Sequence, residues 1–327
     1  MVALGARYSA AGWDDLGKNA FSRTVTWATQ EGGFNLVVDD WDITDDTLTA
    51  GDFELTTSGT LMTGMRGRGN SLLWTTVDLW TMTYIGGTLL YRFDKVADGC
   101  GLIASHAAVV TDRGTFWMGD SSFFHYEAFV GSIPCDVEDY VFGSLNRTYA
   151  HYIWALHNPT FNEVTWFYPH AAQTEITRYV TYNYVEQHWV TGTLARTAGV
   201  SIWPTNHIFP VMADASGGIW DHEDGTARNS EGTPSLESGP LELEGGDHLM
   251  SLQKVVPDDK TVGNVNLTVY TSQTPDGSET SNGPYTLTAQ TTIRLKARQI
   301  RVKLTEAVAS AWRVGTIRLG VVKSSRR

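Results

Sequence analysis

The chain has 327 residues, 42% of them hydrophobic and 18% charged, with a formal net charge of −12. This composition can bury a core and argues against a disordered chain. No apolar run reaches the roughly 18 residues needed to cross a bilayer, so no membrane insertion is expected, and an acidic body repels phosphate, which argues against sequence-specific nucleic-acid binding.

From Phe21 to about His222 short strand-like runs follow one another closely. They include FSRTVTW (21–27), SLLWTT (71–76), DLWTMTYI (78–85), HAAVVT (106–111), TFWMG (115–119), SFFHY (122–126), HYIWAL (151–156), NEVTWFY (162–168), RYVTYNY (178–184), EQHWVTG (186–192) and GGIWDH (217–222). Tight polar turns join several of them, too short for helical crossovers, so the sheets are expected to be antiparallel meanders. Groups begin near residues 71, 106, 151 and 178–207. A four-stranded meander recurring at such a period is what a β-propeller blade requires, here about four to six blades; a plain β-sandwich is the other architecture weighed. One amphipathic helix is predicted over DVEDYVFGSLNR (136–147), with Asp136 as N-cap and Val137, Tyr140, Val141 and Leu145 on one face.

The composition of EDGTARNSEGTP (223–234) marks a linker, dividing the chain into an acidic propeller-like domain (1–233) and a C-terminal β-sandwich or jelly-roll-like domain (234–327). The expected strands of the second domain are LELE (241–244), HLMSLQKVVP (248–257), NVNLTVYTS (264–272), YTLTAQTTIRLKA (285–297), QIRVKLT (299–305) and VGTIRLGVV (314–322), with Pro275–Gly277 and Asn282–Pro284 at turns. Residues 254–327 hold 12 Lys+Arg against 5 Asp+Glu, a balance of +7, whereas residues 1–253 hold 12 against 31. Along 293–304 the inward parity changes from Ile293, Leu295 and Ala297 to Ile300, Val302 and Leu304, so a bulge or tight turn is expected between them. Arg294, Lys296, Arg298, Arg301 and Lys303 then form an outward basic stripe, a candidate inter-subunit surface.

No catalytic motif assembles: there is no GxSxG elbow, HExxH helix, P-loop or GxGxxG turn. No catalytic residue, metal site or cofactor is assigned, and the chain is expected not to be an enzyme. The acidic run 39–52 is the best candidate for calcium, yet lacks the glycine that the EF-hand turn uses. Its Asp39, Asp40, Asp42, Asp45 and Asp46 read better as a solvated, channel-facing or inter-subunit surface. Val110–Trp117 resembles the Asp-box turn of sialidase-type blades with Asp112, Gly114 and Trp117 in register; Asp214–Trp220 is a looser echo. Such a box caps a turn. Cys100 and Cys135, each beside turn residues, are expected to be buried free thiols in a chain that matures in a reducing cytoplasm.

Particular strings carry a resemblance. GLIASHAAVVTDRGTFWMGDSSFFHY (101–126), PCDVEDYVF (134–142), FNEVTWFYP (161–169), RYVTYNYVEQHWVTGTLARTA (178–198), LESGPLELEGGDHLM (236–250), RQIRV (298–302) and WRVGTIRL (312–319) together resemble the propeller-bearing tail nozzle or hub proteins of short-tailed bacteriophages, in that order and over nearly the whole chain. The resemblance implies a virion tail subunit assembled in the host cytoplasm as a homo-oligomeric ring, a hexamer, forming part of the DNA-ejection conduit. Its implied partners are itself, a head–tail adaptor, a fibre or spike, and genomic DNA passing without specific binding. It implies no catalytic residue. Two departures stand out: the relatives have more chain ahead of Val2–Gly5, which suggests a compact form with fewer N-terminal blades, and Trp27-Ala28-Thr29 stands where Trp-Ser-Asp is expected. The alternative reading is a carbohydrate-binding or glycan-degrading propeller acting as a receptor-binding tail protein.

Overall fold

A computed structural model describes residues 2–6, 8–9, 12–13, 22–30, 38–87, 89–201, 209–224, 233–258, 265–275, 277–307 and 314–324. The protein is all-β and divides into two compact units, Met1–His222 and Glu223–Arg327, the division falling at the start of the expected linker.

The first unit is a succession of antiparallel sheets. β1 (Val2–Leu4) is followed by a small hairpin, β2 (Tyr8–Ser9) and β3 (Gly12–Trp13), then by β4 (Thr24–Trp27) and β5 (Gly51–Glu54), which extend β1 into a three-stranded sheet in the order β1-β4-β5. The second sheet is a four-stranded meander of β6 (Leu61–Arg66), β7 (Ser71–Thr75), β8 (Asp78–Tyr84) and β9 (Tyr91–Asp98). The third repeats the pattern with β10 (Ala108–Thr111), β11 (Gly114–Met118), β12 (Phe123–Tyr126) and β13 (Val130–Ser132). After a helix α1 (Glu138–Ser144) and a 3-10 segment (Arg147–Tyr152) comes the fourth, β14 (Trp154–Asn158), β15 (Glu163–Tyr168), β16 (Arg178–Asn183) and β17 (His188–Thr193). The fifth has three strands, β18 (Ala198–Val200), β19 (Val211–Ala213) and β20 (Ile219–Asp221).

First strands of consecutive sheets meet one another: β1 touches β6, β10 touches β14, and β14 touches β18. The amide of Ala155 donates to the carbonyl of His106 at 2.8 Å across one of these junctions. Neighbouring first strands side by side, with the remaining strands stepping away in order, is blade-like packing about an axis. The second strand of each of the first four sheets carries a tryptophan: Trp27, Trp74, Trp117 and Trp166. The last three are fully buried. Trp74 and Trp117 meet edge-on with ring centroids 5.7 Å apart. The Trp117 indole N–H donates to the carbonyl of Cys100 at 2.8 Å, and that of Trp166 to the carbonyl of Ala107 at 3.0 Å. The Trp117 ring is thus tied to the segment leading into its own blade and the Trp166 ring to the segment leading into the preceding one, each with its N–H satisfied, whereas the buried Trp74 N–H finds no partner among the described residues.

The helix is shorter than the amphipathic pattern suggested. Val137 occupies the N-cap position without a side-chain cap, so Asp136 does not serve as one. Glu138 in the first turn instead accepts a hydrogen bond from the Ser122 hydroxyl at 2.6 Å, tying the helix to the β11–β12 turn. Val141 and Leu145 are buried as expected, but Tyr140 is exposed and lies beneath the Arg178 guanidinium.

The second unit is a two-sheet sandwich. One sheet joins β21 (Ser235–Glu237), β22 (Leu241–Glu242), β24 (Val265–Ser272), β25 (Thr280–Thr286) and β27 (Gln299–Glu306); the other has the order β26-β23-β28, from β23 (Met250–Val256), β26 (Thr291–Ala297) and β28 (Arg318–Lys323). Leu252, Ile293 and Ala297 of one sheet share a core with Leu267, Val269, Ile300 and Leu304 of the other. The run 285–297, read from its pattern as one strand, is broken after Thr286, where Leu287 turns into the core. Asn282–Pro284 lies inside β25 and not at a turn, and the ladder with β24 shifts register between Leu267 and Val269. A bulge absorbs there the local chemistry that otherwise signals a reversal.

Candidate functional site

The acidic run folds onto itself. Asp39 and Asp40 lie in a 3-10 turn, Val38–Trp41, with the side chain of Asp39 outside the described residues. Trp41 is buried against Ala28 and Ala3 and anchors the loop. Asp42 Oδ1 accepts from the amide of Thr44 at 2.9 Å and its hydroxyl at 2.6 Å, and Asp45 Oδ1 does the same with Thr47 at the same distances. Two consecutive Asx turns result, each aspartate satisfying its own backbone. The Thr47 bonds hold the Asp45 carboxyl below its ordinary pKa. Asp46 is exposed. Among the described residues no group of three or more His, Cys, Asp or Glu side chains is placed to hold a metal ion. The five first strands carry no carboxylate, so the acidic charge lies away from the line where the blades meet.

The basic residues do not form one stripe. The expected reversal of parity occurs at a single bend, Arg298, where the chain leaves one sheet of the sandwich and enters the other. Arg294 and Lys296 are exposed on β26, whereas Arg301 and Lys303 lie on β27. Because the inner faces of the two sheets share one core, the two pairs look out from opposite faces. Arg298 donates to the carbonyl of Gly246 at 2.9 Å. Arg301 stacks 4.3 Å over the ring of Tyr270 and pairs with Glu237 and Glu279, while Lys303 lies 3.5 Å from Glu237. Three of the five cations are therefore engaged within the sandwich. Strand alternation correctly gave the outward parity, but which sheet a strand joins is a long-range property.

The Asp-box assignment also moves. Asp112 does not cap its own turn: Thr111 does so, its hydroxyl accepting from the amide of Arg113 at 3.1 Å and donating to the carbonyl of Gly114 at 3.0 Å. Asp112 accepts instead from the Tyr184 hydroxyl of the fourth sheet at 3.2 Å. The looser echo has the box geometry. Asp214 Oδ1 accepts from the amide and hydroxyl of Ser216 and the amide of Gly218, and Oδ2 from the Trp220 indole at 2.7 Å. These bonds hold its carboxyl far below the ordinary range. The signal was the Asp-x-Ser-Gly-Gly-x-Trp spacing itself, in which the extra residue lets one carboxylate reach both turn and indole.

The same fifth sheet holds a buried guanidinium. Arg196 donates through Nε to His222 Nε2 at 2.9 Å and lies 5.5 Å from the Trp220 ring centre. Burial, reinforced by this guanidinium and opposed by Asp221, pushes the His222 pKa down to about 4. An unfolded histidine titrates near 6.5, so the stabilisation given by neutral His222 is complete above that pH and is lost as pH falls towards 4. Asp214 adds stability above its unfolded value, lost in still stronger acid. The fifth sheet is expected to open first in acid: amide exchange over 198–200, 211–213 and 219–221 rises between pH 6.5 and 4, and His222→Gln flattens that rise. An exchange rate independent of pH after intrinsic correction refutes the assignment.

Cys100 and Cys135 are both free, the first buried and the second half-buried. Burial pushes both thiols up to about 11. Because the thiolate is the nucleophile, native protein at pH 7.5 is expected to react with a disulfide reagent at least tenfold more slowly than denatured protein. Equal rates refute this.

A cleft of about 420 Å³ opens between the turns of the third and fourth sheets. Phe116, Tyr182 and Tyr184 form its floor, and Arg113, Glu127 and Phe129 stand at its mouth. Phe116 stacks on His125 at 4.4 Å and on Tyr184 at 5.6 Å. Nothing in the sequence pattern singled out this group, which comes from two separate blades.

No known protein family matches the chain, and no curated protein does. Among solved structures it is similar to an exo-β-1,3-galactanase from Phanerochaete chrysosporium, solved with β-1,3-galactotriose, at 9% identity over 99% of both chains and a TM-score of 0.25. A second similar structure is a glycoside hydrolase at 10% identity, covering 88% of this chain and 64% of that one, with a TM-score of 0.19.

Proposed function

We propose that this protein is a non-catalytic structural subunit of a short-tailed bacteriophage tail, forming a nozzle or hub ring in the conduit through which DNA leaves. One observation carries the reading. The densest stretch of the sequence resemblance, Gly101–Ala198, coincides with the two complete sheets β10–β13 and β14–β17 and the helix between them. The resemblance thus runs through packed core, where order and spacing are constrained, and not through one loop.

In this reading the acidic loop 38–50 faces the conduit or a neighbouring subunit and keeps phosphate from adhering as the duplex slides. Arg294 and Lys296 dock on an acidic neighbour and fix the ring's register, since exposed rim charges set specificity more than affinity. A heterologous contact between different patches closes the ring. Negative-stain imaging and mass photometry of the purified chain are expected to show a six-fold ring; a stable monomer or trimer overturns the proposal. Arg294→Glu with Lys296→Glu is expected to reduce assembly without lowering the melting temperature, whereas unchanged assembly removes the docking role. Arg298 and Arg301 are poor probes, because their contacts within the sandwich make reversal a folding defect.

A further inference from the structure

We propose that the cleft between the third and fourth sheets is a saccharide-binding site, taking a pyranose ring against Phe129. The inference is independent of the ring assembly: a subunit can assemble without binding sugar, and bind sugar without assembling.

The floor is built before any ligand arrives. Phe116 is held between His125 and Tyr184 with interplanar angles of 27° and 26°. Hydrogen bonds fix both neighbours: the Tyr184 hydroxyl lies 3.2 Å from Asp112 Oδ1 and 3.1 Å from His157 Nε2, and His125 Nε2 is 2.9 Å from the carbonyl of Arg113. Walls fixed in this way lower the ordering cost of binding. The volume, about 420 Å³, falls at the lower end of the range for small-molecule sites.

The mouth has the chemistry of a sugar site. Phe129, at the tip of the β12–β13 hairpin, is 78% exposed. Arg113, Glu127 and Gln187 are exposed around it, and their side chains have no hydrogen-bond partner among the described residues. A pyranose has an apolar C–H face, which an aromatic ring covers, and a rim of neighbouring hydroxyls. Planar guanidinium, carboxylate and amide groups match such pairs in a bidentate way. An apolar helix or strand from a protein partner would leave both signs of charge unpaired and desolvated at the same mouth, which is costly. The observations therefore favour a sugar over a peptide.

The test uses the full chain and isothermal titration calorimetry with chitotetraose, cellotetraose, maltotetraose and mannotetraose. At least one is expected to give a saturable isotherm, about tenfold weaker in Phe129→Ala and in Arg113→Ala. Leu89→Ala, an equally exposed apolar position on the β8–β9 hairpin, is the control and should leave binding unchanged. Both cleft residues are exposed, so melting temperatures should match wild type. The proposal is overturned if none of the four sugars binds saturably, or if Phe129→Ala binds as wild type does. It is equally overturned if Phe129→Ala changes the oligomeric state, which would assign the cleft to contact between copies of the chain.

Discussion

Trp166→Ala is expected to lower the unfolding free energy by about 4 kcal/mol, the range found when a large aromatic is removed from a packed core. Trp166 has no exposed surface and lies 4.9 Å from the ring of Phe123 in the third sheet and 6.2 Å from that of Trp189 in its own. Truncation leaves a cavity between blades and removes one of the two donors to the Ala107 carbonyl, which keeps the Met118 amide at 3.1 Å. Trp166→Phe keeps most of the volume, so its cost should be about 1–2 kcal/mol, the smaller cavity together with one lost hydrogen bond. Denaturant titration of the first unit's transition separates the two variants. If the alanine variant unfolds at the wild-type midpoint, the ring is not a wedge between blades.

The second large effect lies in a turn. Asp78 is 1% exposed, an uncommon position for a carboxylate. Its amide donates to the Thr75 hydroxyl at 2.9 Å, and that hydroxyl donates back to Asp78 Oδ1. Oδ2 lies 3.0 Å from Lys95 Nζ on β9, and Lys95 also reaches Asp98 at 2.6 Å. Burial pushes the Asp78 carboxyl up, but hydrogen bonds from Thr75, Lys95 and Thr57 outweigh it and leave the pKa below its ordinary value. Removing Lys95 leaves the Asp78 carboxylate buried without its cation, whereas removing Asp78 leaves Lys95 partly exposed and still paired with Asp98. Asp78→Ala is expected to cost about 3 kcal/mol, since the hydrogen bonds that the buried carboxylate accepts are lost with it. The double variant with Lys95→Met should cost less than the two single changes added, because the buried carboxylate that Lys95→Met alone leaves without its cation is then absent. Additive costs would show that the pair carries no coupling.

Much of the fold could be read from local pattern. Runs such as 71–76, 162–168 and 178–184 emerge as strands because alternation and aromatic content agree there with burial. Apart from β19, the strands missed lie at sheet edges. β9, with Arg92, Asp94, Lys95 and Asp98, reads as polar because charge protects an outer edge from pairing with another chain. β18 and β19, three residues each, are too short to show a period. At the candidate surfaces the sequence carried residue type and parity but not company. Parity put Arg301 outward, yet only the pairing of β27 with β21 and β24 brings it to Glu237 and Tyr270. The cleft was invisible for the same reason, since Phe116 and Tyr184 are neighbours only once two blades stand side by side.

The tryptophans at 27, 74, 117 and 166 give the chain a natural unit of inheritance. Each segment from one to the next brings its own wedge and the strands that flank it. Where a segment between Trp74, Trp117 and Trp166 is duplicated or deleted in one event, the new junction falls within one continuous core that already buries all three rings. Blade number is then the cheapest large feature of this architecture to change, and relatives differing by whole blades should keep intact the Trp-to-Trp segments they share. Those differing by partial blades should be rare, since half a segment leaves an indole with no floor to rest on.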